Sequence, residues 1–521
     1  MSGKAYPSMK CFLKWTTIVV GVFILIAISV VGLFLTWLKW SGEQDWKRAE
    51  AELRAKGEKL TFAELVPPMP PERDNFFADP LWAEYTDLVP ENDSNVKEWS
   101  TRVPSGHRQL EEWENAPASS GEQDRFLNLL PEKPELKNRK RASMDLKRRL
   151  LDENNPGKQK EIASLLLDVI SPAEAVINRI TELSKRPNPQ FPARYDLGPS
   201  APVPEIRTIL SLSQLLDVKS RSEITLGKNN EAAADTETLL RISFVERNSP
   251  LLISFLVRVA SVSLAVQSVD EGILRHVWSE TNLSDFQNQL ERIKLQEAYL
   301  VGLKGERALF NQWDPEFVTE LSEFPATLTP LPKFIEKIYP TYLATILLKN
   351  KACYNLFLQR KVESLNSSIP TGWNATTTQS VDQELLEIAR HPIKKWIYGL
   401  SAINLPAPFA VSHKTAITQT QVDQSLIACA LERYRIARGS YPTSLDALVP
   451  EYLGKIPNSP ITGKPMKYSL KHEGTFLLWT PSWELKSLGG KPGDYFGEGD
   501  IVWGQPVPKM KRPKEQSPSL P

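Results

Sequence analysis

From Trp15 to Leu38 the chain reads "WTTIVVGVFILIAISVVGLFLTWL", 24 residues without a charge. At about 1.5 Å per residue such a helix is about 36 Å long, enough to cross a bilayer core of about 30 Å with some tilt. Trp15 at one end and Trp37 and Trp40 at the other stand where aromatic belts belong. A cleavable signal would have an apolar core of about 7–15 residues closed by small residues. This run is longer and leaves through Leu38-Lys39-Trp40, so it predicts a retained single-span anchor over 15–40. The tail before it, residues 1–14, carries Lys4, Lys10 and Lys14 and no acid. Beyond the run stand Lys39, Glu43, Asp45, Lys47 and Arg48. A short cationic tail ahead of a first span is the layout of a signal anchor, which puts the tail in the cytoplasm. The bulk of the chain is then expected in the periplasm of a bacterium, tethered to the inner membrane.

Five hundred and twenty-one residues exceed one core, and several domains follow from length. Lys and Arg number 63 against 62 Asp and Glu, a balance that excludes a dedicated nucleic-acid binder. The 41 prolines against 25 glycines point to stiff connections. Of three cysteines, Cys11 borders the anchor; Cys353 and Cys429 can pair in an oxidising compartment, or stand as two buried thiols, the preferred reading. No cysteine or histidine spacing suggests zinc.

After the anchor, Trp46, Ala49 and Leu53 keep a helical spacing that Gly57 stops, and Thr61 with Glu64 matches a capping box. Residues 41–159 are otherwise polar and proline-punctuated, with one basic cluster of Lys137, Arg139, Lys140, Arg141, Lys147, Arg148 and Arg149, read as a solvated helix face. Residues 160–417 read as a helical domain. Ile162, Leu165, Leu166 and Val169 form one stripe. "SPLLISFLVRVASVSLAVQSVDEGIL" is apolar nearly all round; Arg258 at its centre makes it a core helix rather than a second span. Leu226-Gly227 with Glu231-Ala232-Ala233 is similar to one tetratricopeptide unit, but no second copy follows, so an irregular stack of helical hairpins is expected. A helical block over Leu331 to Leu365 gives way to "SSIPTGWNATTTQS", read as a loop, and helix resumes over Glu384 to Ala389. The last segment, 506–521, reads as a disordered tail.

Residues 418–505 read as a compact α+β head. Thr418 to Ile436 is a helix, Gly439 ends it, Pro442 prevents continuation, and Thr443 or Ser444 caps a short stub. The strands "MKYSL" and "TFLLWT" flank a turn containing Gly474, and a glycine-rich acidic loop leads to a short last strand. On Gly439-Ser440-Tyr441-Pro442, Leu445, Leu448, Pro450, Lys455-Ile456-Pro457, Pro460, Gly463, Pro465, Tyr468, Ser487-Leu488-Gly489, Asp500-Ile501 and Trp503, this stretch resembles the globular head of the type II secretion major pseudopilin. In that family the acidic loop binds calcium, which implies Asp494, Glu498 and Asp500 as the candidate metal ligands, with backbone carbonyls near Leu488. Lys491 stands where the family has an aspartate, and the pseudopilin leader and filament helix have no counterpart near Trp15. The whole chain also resembles membrane-anchored envelope proteins of double-membraned bacteria. They share the anchor, a "GEKLTFAELVPP" passage, a helical middle and this head. The resemblance implies location and architecture and carries no activity. The expected fold is mainly α, with one transmembrane helix, a helical-hairpin stack and a small α+β head.

For chemistry the sequence offers little. His107, His276, His391, His413 and His472 make no metal spacing, and there is no nucleophile elbow, Walker loop or dinucleotide fingerprint. Glu306 and Arg307 in "GERALF" stand beside an apolar helical face and read as a salt-bridged surface. Two functions remain. The first is a non-catalytic envelope scaffold that presents the head to protein partners, in a secretion or pilus-like assembly. The second is an envelope hydrolase with carboxylates such as Glu306 in a cleft of the helical domain.

Overall fold

The computed structural model describes residues 9–82, 150–151, 155–318, 333–493 and 499–505. The basic cluster from Lys137 to Arg149, the loop acids Asp494 and Glu498, and the tail from 506 lie outside the described residues. The protein is mainly helical, with one small sheet and an N-terminal apolar helix. It divides into two compact units. One holds residues up to Lys59 with Phe310–Gln359 and Gln383–Leu405; the other holds Leu60–Leu309, Arg360–Asp382 and Pro406 onward.

The first unit is built on α1 (Met9–Ala55), in which the apolar run and the segment after it are one rod. Gly57, at φ 75°, ends it where the spacing predicts, with Glu58 N–H donating to the Leu53 carbonyl at 3.0 Å. From Ile18 to Phe34 the large apolar side chains are exposed, whereas Leu38 is fully buried. Leu38 packs with Leu343, Ile346 and Leu347 of α10 (Lys333–Ser368) and with Val318, the cluster extending to Leu35, Ile397 and Leu400. Gly42 lets α10 close in, since a Cβ there would stand 3.1 Å from the Lys349 backbone nitrogen. Lys349 Nζ donates to Ser41 Oγ at 2.9 Å and is also paired with Asp45. The short helices at Lys394–Ile397 and Gly399–Asn404 (α12, α13) belong to this unit.

The second unit is mainly helical and carries the sheet. In it Thr61 and Glu64 form the expected capping box on α2 (Phe62–Leu65), and Asn155 caps α3 (Pro156–Ile170). The buried stripe of α3 is Ile162, Ala163, Leu166 and Ile170; Leu165 faces solvent, because the helix phase turns it away from the packed side. After α4 (Glu174–Leu183) come α5 (Pro204–Leu226) and α6 (Asn229–Ile242), a hairpin turned by Gly227 at φ 78°. The apolar segment becomes α7 (Leu252–Leu274), a core helix with Val259, Val262, Ala265 and Val269 fully buried. It is followed by α8 (Glu280–Leu290) and α9 (Leu295–Asn311). Gly305 on α9 lies against the Pro250 carbonyl, which an added Cβ would meet at 1.8 Å.

Two helix starts differ from expectation. α11 spans Ala375–Arg390, beginning inside the segment read as a loop, because the Asn374 carboxamide oxygen accepts from the N–H of Thr376 at 3.0 Å and Thr377 at 3.3 Å. α14 spans Pro406–Arg438, twelve residues longer at its start than the helix expected from Thr418; Pro406 and Pro408 sit in the first turn, where a proline costs no hydrogen bond. Gly439, at φ 81°, ends it as anticipated. The stub is a 3₁₀ turn over Leu445–Leu448, and Ser444 takes the cap position without a side-chain hydrogen bond. The sheet is antiparallel in the order β1 (Lys467–Leu470), β2 (Phe476–Pro481), β3 (Asp500–Val502), with Tyr468 opposite Leu478 and Trp479 opposite Val502.

Cys353 is half-buried, and Cys429 on α14 is a fully buried thiol outside any disulfide.

Candidate functional site

A polar cluster of the second unit lies where α14 and the sheet meet α7 and α8. The apolar side of α14, Val422, Ile427, Ala428 and Leu431, is fully buried. A ring of side chains then closes the joint by hydrogen bonds. Asp270, near the end of α7, accepts through Oδ1 from Ser425 Oγ at 2.6 Å and from Trp503 Nε1 at 2.8 Å. Gln424 Nε2 donates to the Ile501 carbonyl of β3 at 2.9 Å. On the other side Gln287 of α8 donates to the Tyr452 carbonyl at 3.0 Å and accepts from Arg433 at 2.8 Å, which also reaches Glu280. Trp503 stacks on Phe476, and Phe476 meets Tyr441 edge-on.

Glu432, fully buried, is the hub. It accepts from Tyr441 Oη at 2.6 Å, from Arg435 Nε and Nη2 at 2.9 and 2.7 Å, and pairs with His276 Nδ1 at 2.9 Å. Burial pushes the Glu432 carboxyl up, but the bonds from Arg435, Tyr441 and His276 outweigh it and hold the group below its ordinary value. Tyr441 goes up instead, through burial and the carboxylate beside it. The tyrosine of the Gly-Ser-Tyr-Pro break is thereby fastened to its own helix.

His276 sits at φ 55°, in the left-handed position after α7 that glycine usually takes. Its N–H donates to the Ile273 carbonyl and that of Val277 to Gly272, both at 3.0 Å, the pattern of a Schellman ending. Gly272 is required there, because a Cβ would enter the Trp278 ring at 1.9 Å. In the sequence, one histidine after a helix is indistinguishable from a surface residue; the partner lies 156 positions away.

Of the metal candidates, Asp500 begins β3 and is buried. Its Oδ2 accepts from the N–H of Leu488 at 2.9 Å and of Gly490 at 2.7 Å, and its own N–H donates to the Lys491 carbonyl at 3.0 Å. It therefore staples the Ser-Leu-Gly loop to the sheet edge. Oδ1 is enclosed and lacks a hydrogen-bond partner. Calcium takes about six to eight oxygens, and among the described residues no three His, Cys, Asp or Glu side chains converge. Asp494 and Glu498 lie outside the described residues, and among the described ones Asp500 acts as the staple.

Several carboxyls of the second unit are buried or half-buried. Glu306 accepts from the N–H of Leu252, the first residue of α7, and burial pushes it up to about 7. Glu205 and Glu246, which no sequence signal singled out, are 2% and 4% exposed, and each keeps one oxygen without a partner. Burial, and for Glu205 the charge of Glu246, drives both carboxyls upward. Enclosed to this degree, neither presents an oxygen to a substrate. Lys219 gathers Asp235 at 2.6 Å, Glu223 at 2.9 Å and Glu174 at 3.3 Å, a buried ion network between α5 and its neighbours.

Comparison with protein-family models, with curated proteins and with solved structures finds no match.

Proposed function

We propose that the chain is a non-catalytic envelope protein. A single span in the inner membrane tethers a periplasmic helical body, and the body holds a pseudopilin-like head as a fixed docking surface for protein partners in a secretion or pilus-like assembly. The observation that carries this reading is the joint around Asp270 and Glu432. Side chains of α7, α8 and their connection bond both to α14 and to the segments after it, so the sheet is held rather than hung on a linker. A surface meant for assembly gains from such preorganisation, since less ordering entropy is lost on binding.

The tether is supported by the apolar side chains of α1 that face outward from Ile18 to Phe34, about the length of a bilayer core. The head reading is supported by the element order: a helix ended at Gly439, Tyr441 and Pro442 behind it, then three antiparallel strands, with Asp500 bonded to the Ser-Leu-Gly loop. Leu470, Leu485 and Leu488 are exposed on that head and are the first contacts to examine.

The test is photo-crosslinking from positions 470, 485 and 488 in native envelopes. Discrete protein adducts at all three positions are expected, with those from 470 and 485 vanishing with Leu488→Asp. A chain that stays uncrosslinked at all three positions and is released by carbonate extraction contradicts both parts of the reading.

A further inference from the structure

We propose that the segment His391 to Asn404, carrying α12 and α13, is a second membrane element that lies in the lipid interface beside the foot of the anchor. This rests on the reading of α1 as a membrane span. The segment is fixed firmly on one side. Ile397 and Leu400 pack into the cluster that contains Leu35 and Leu38 of α1. Asn350 of α10, fully buried, donates to the Ile397 carbonyl at 2.8 Å and accepts from the Ser401 N–H at 2.9 Å; Ser401 Oγ returns to the Asn350 carbonyl at 2.9 Å. Tyr342 Oη donates to the Trp396 carbonyl.

On the other side it is bare. Ile393, Trp396 and Ile403 are large apolar side chains 63%, 61% and 69% exposed. Scattered apolar residues need no explanation, but three on one clamped segment do. Leu35 and Leu38 mark the point where the outward-facing apolar stretch of α1 ends and protein packing begins, and Trp37 and Trp40, both exposed, stand at the same height. Since Ile397 and Leu400 pack against the same cluster as Leu35 and Leu38, the exposed apolar side chains of the segment stand at the level where a bilayer crossed by α1 meets water.

Charge names the occupant. From His391 to Asn404 there is no acid, while Lys394 and Lys395 directly precede Trp396, with Lys395 Nζ 5.9 Å from its ring centroid. A tryptophan with apolar neighbours and adjoining lysines is the composition that settles among anionic headgroups. A lipid surface is therefore the partner. By resting on it, the segment would brace the base of the first unit against tilting on a single rod.

The experiment places p-benzoylphenylalanine at positions 23, 396, 403 and 471 of the full chain, reconstituted in vesicles of phosphatidylethanolamine and phosphatidylglycerol, and reads lipid adducts by mass spectrometry. Position 23 reports the anchor and 471, in the β1–β2 turn, is the control. Adducts at 23, 396 and 403 and none at 471 are expected, with the yield at 396 falling several-fold in neutral vesicles or with Lys394→Ala and Lys395→Ala together. Adducts at 23 with none at 396 and 403 overturn the proposal and leave the anchor standing. Absence at 23 overturns the anchor reading itself. Protein adducts at 396 in native membranes, without lipid adducts, assign the patch to a protein partner and overturn it as well.

Discussion

Asp270 gives the sharpest test of how the sheet is held. An aspartate in water titrates near 3.8, and enclosure pushes this one up to about 7, against the bonds from Ser425 and Trp503 and the attraction of Arg221, and with the repulsion of Glu271. A carboxyl whose native pKa lies above its unfolded one binds its proton more tightly in the native state. Stability is then highest below the unfolded value and falls as pH rises toward the native one, after which it is level. Between pH 5 and pH 7 that is two units at about 1.4 kcal/mol each, about 3 kcal/mol. Asp270→Asn keeps an oxygen to accept from Ser425 and Trp503 and removes the titration. Unfolding of detergent-solubilised chain by denaturant, followed by tryptophan fluorescence at pH 5 and pH 8.5, gives the difference between variant and parent at each pH. Taking that difference cancels the other raised acids, Glu205, Glu223, Glu246, Glu306 and Asp423. The variant should gain about 2–3 kcal/mol on its parent between the two pH values. A gain below about 1 kcal/mol would refute the reasoning, because the carboxyl would then be paying nothing for its enclosure.

Other perturbations separate the parts of the structure. Gly305→Ala drives a Cβ into the Pro250 carbonyl and should cost about 3 kcal/mol or more, read as a fall in Tm, whereas Gly57→Ala, with open space around it, should cost about 1 kcal/mol for its left-handed backbone. Glu432→Ala strands Arg435, Tyr441 and His276 together and should cost about 3–5 kcal/mol; His276→Gly loses one bond but relieves the left-handed histidine, so it should stay within about 1 kcal/mol of the parent in the same melts. Asp500→Ala removes the acceptor for Leu488 and Gly490, so limited proteolysis should cut between Ser487 and Pro492 several times faster while the α14 peptides stay protected.

Much of the molecule is legible in local signals, since each of them works within a few residues. The apolar run, Gly57 after Leu53, the Thr61 and Glu64 box, Gly439 and the Gly474 turn all appear as the spacing implies. Local signals also mislead. A threonine-rich stretch reads as loop, yet one asparagine at 374 starts α11, and two prolines that look like a break open α14. The joint was not legible at all. Asp270 and Trp503 are 233 positions apart, and Gln287 reaches a carbonyl 165 positions on. No periodicity in either segment records such pairing. The loop acids illustrate a third case: Asp500 stands out by type, but its use as a staple for backbone N–H groups depends on the turn at Gly489 and Gly490, which only the folded chain displays.

Native-state hydrogen exchange of the full chain in detergent, resolved to peptides of α7, α14 and β2, tests the fixed joint most directly. If α7 and the sheet are one cooperative body, their slowest amides should open with the same free energy and lose protection together when Asp270→Ala is introduced. Strands β1 to β3 opening by themselves, with α7 still protected at its full value, would contradict a head held by the body.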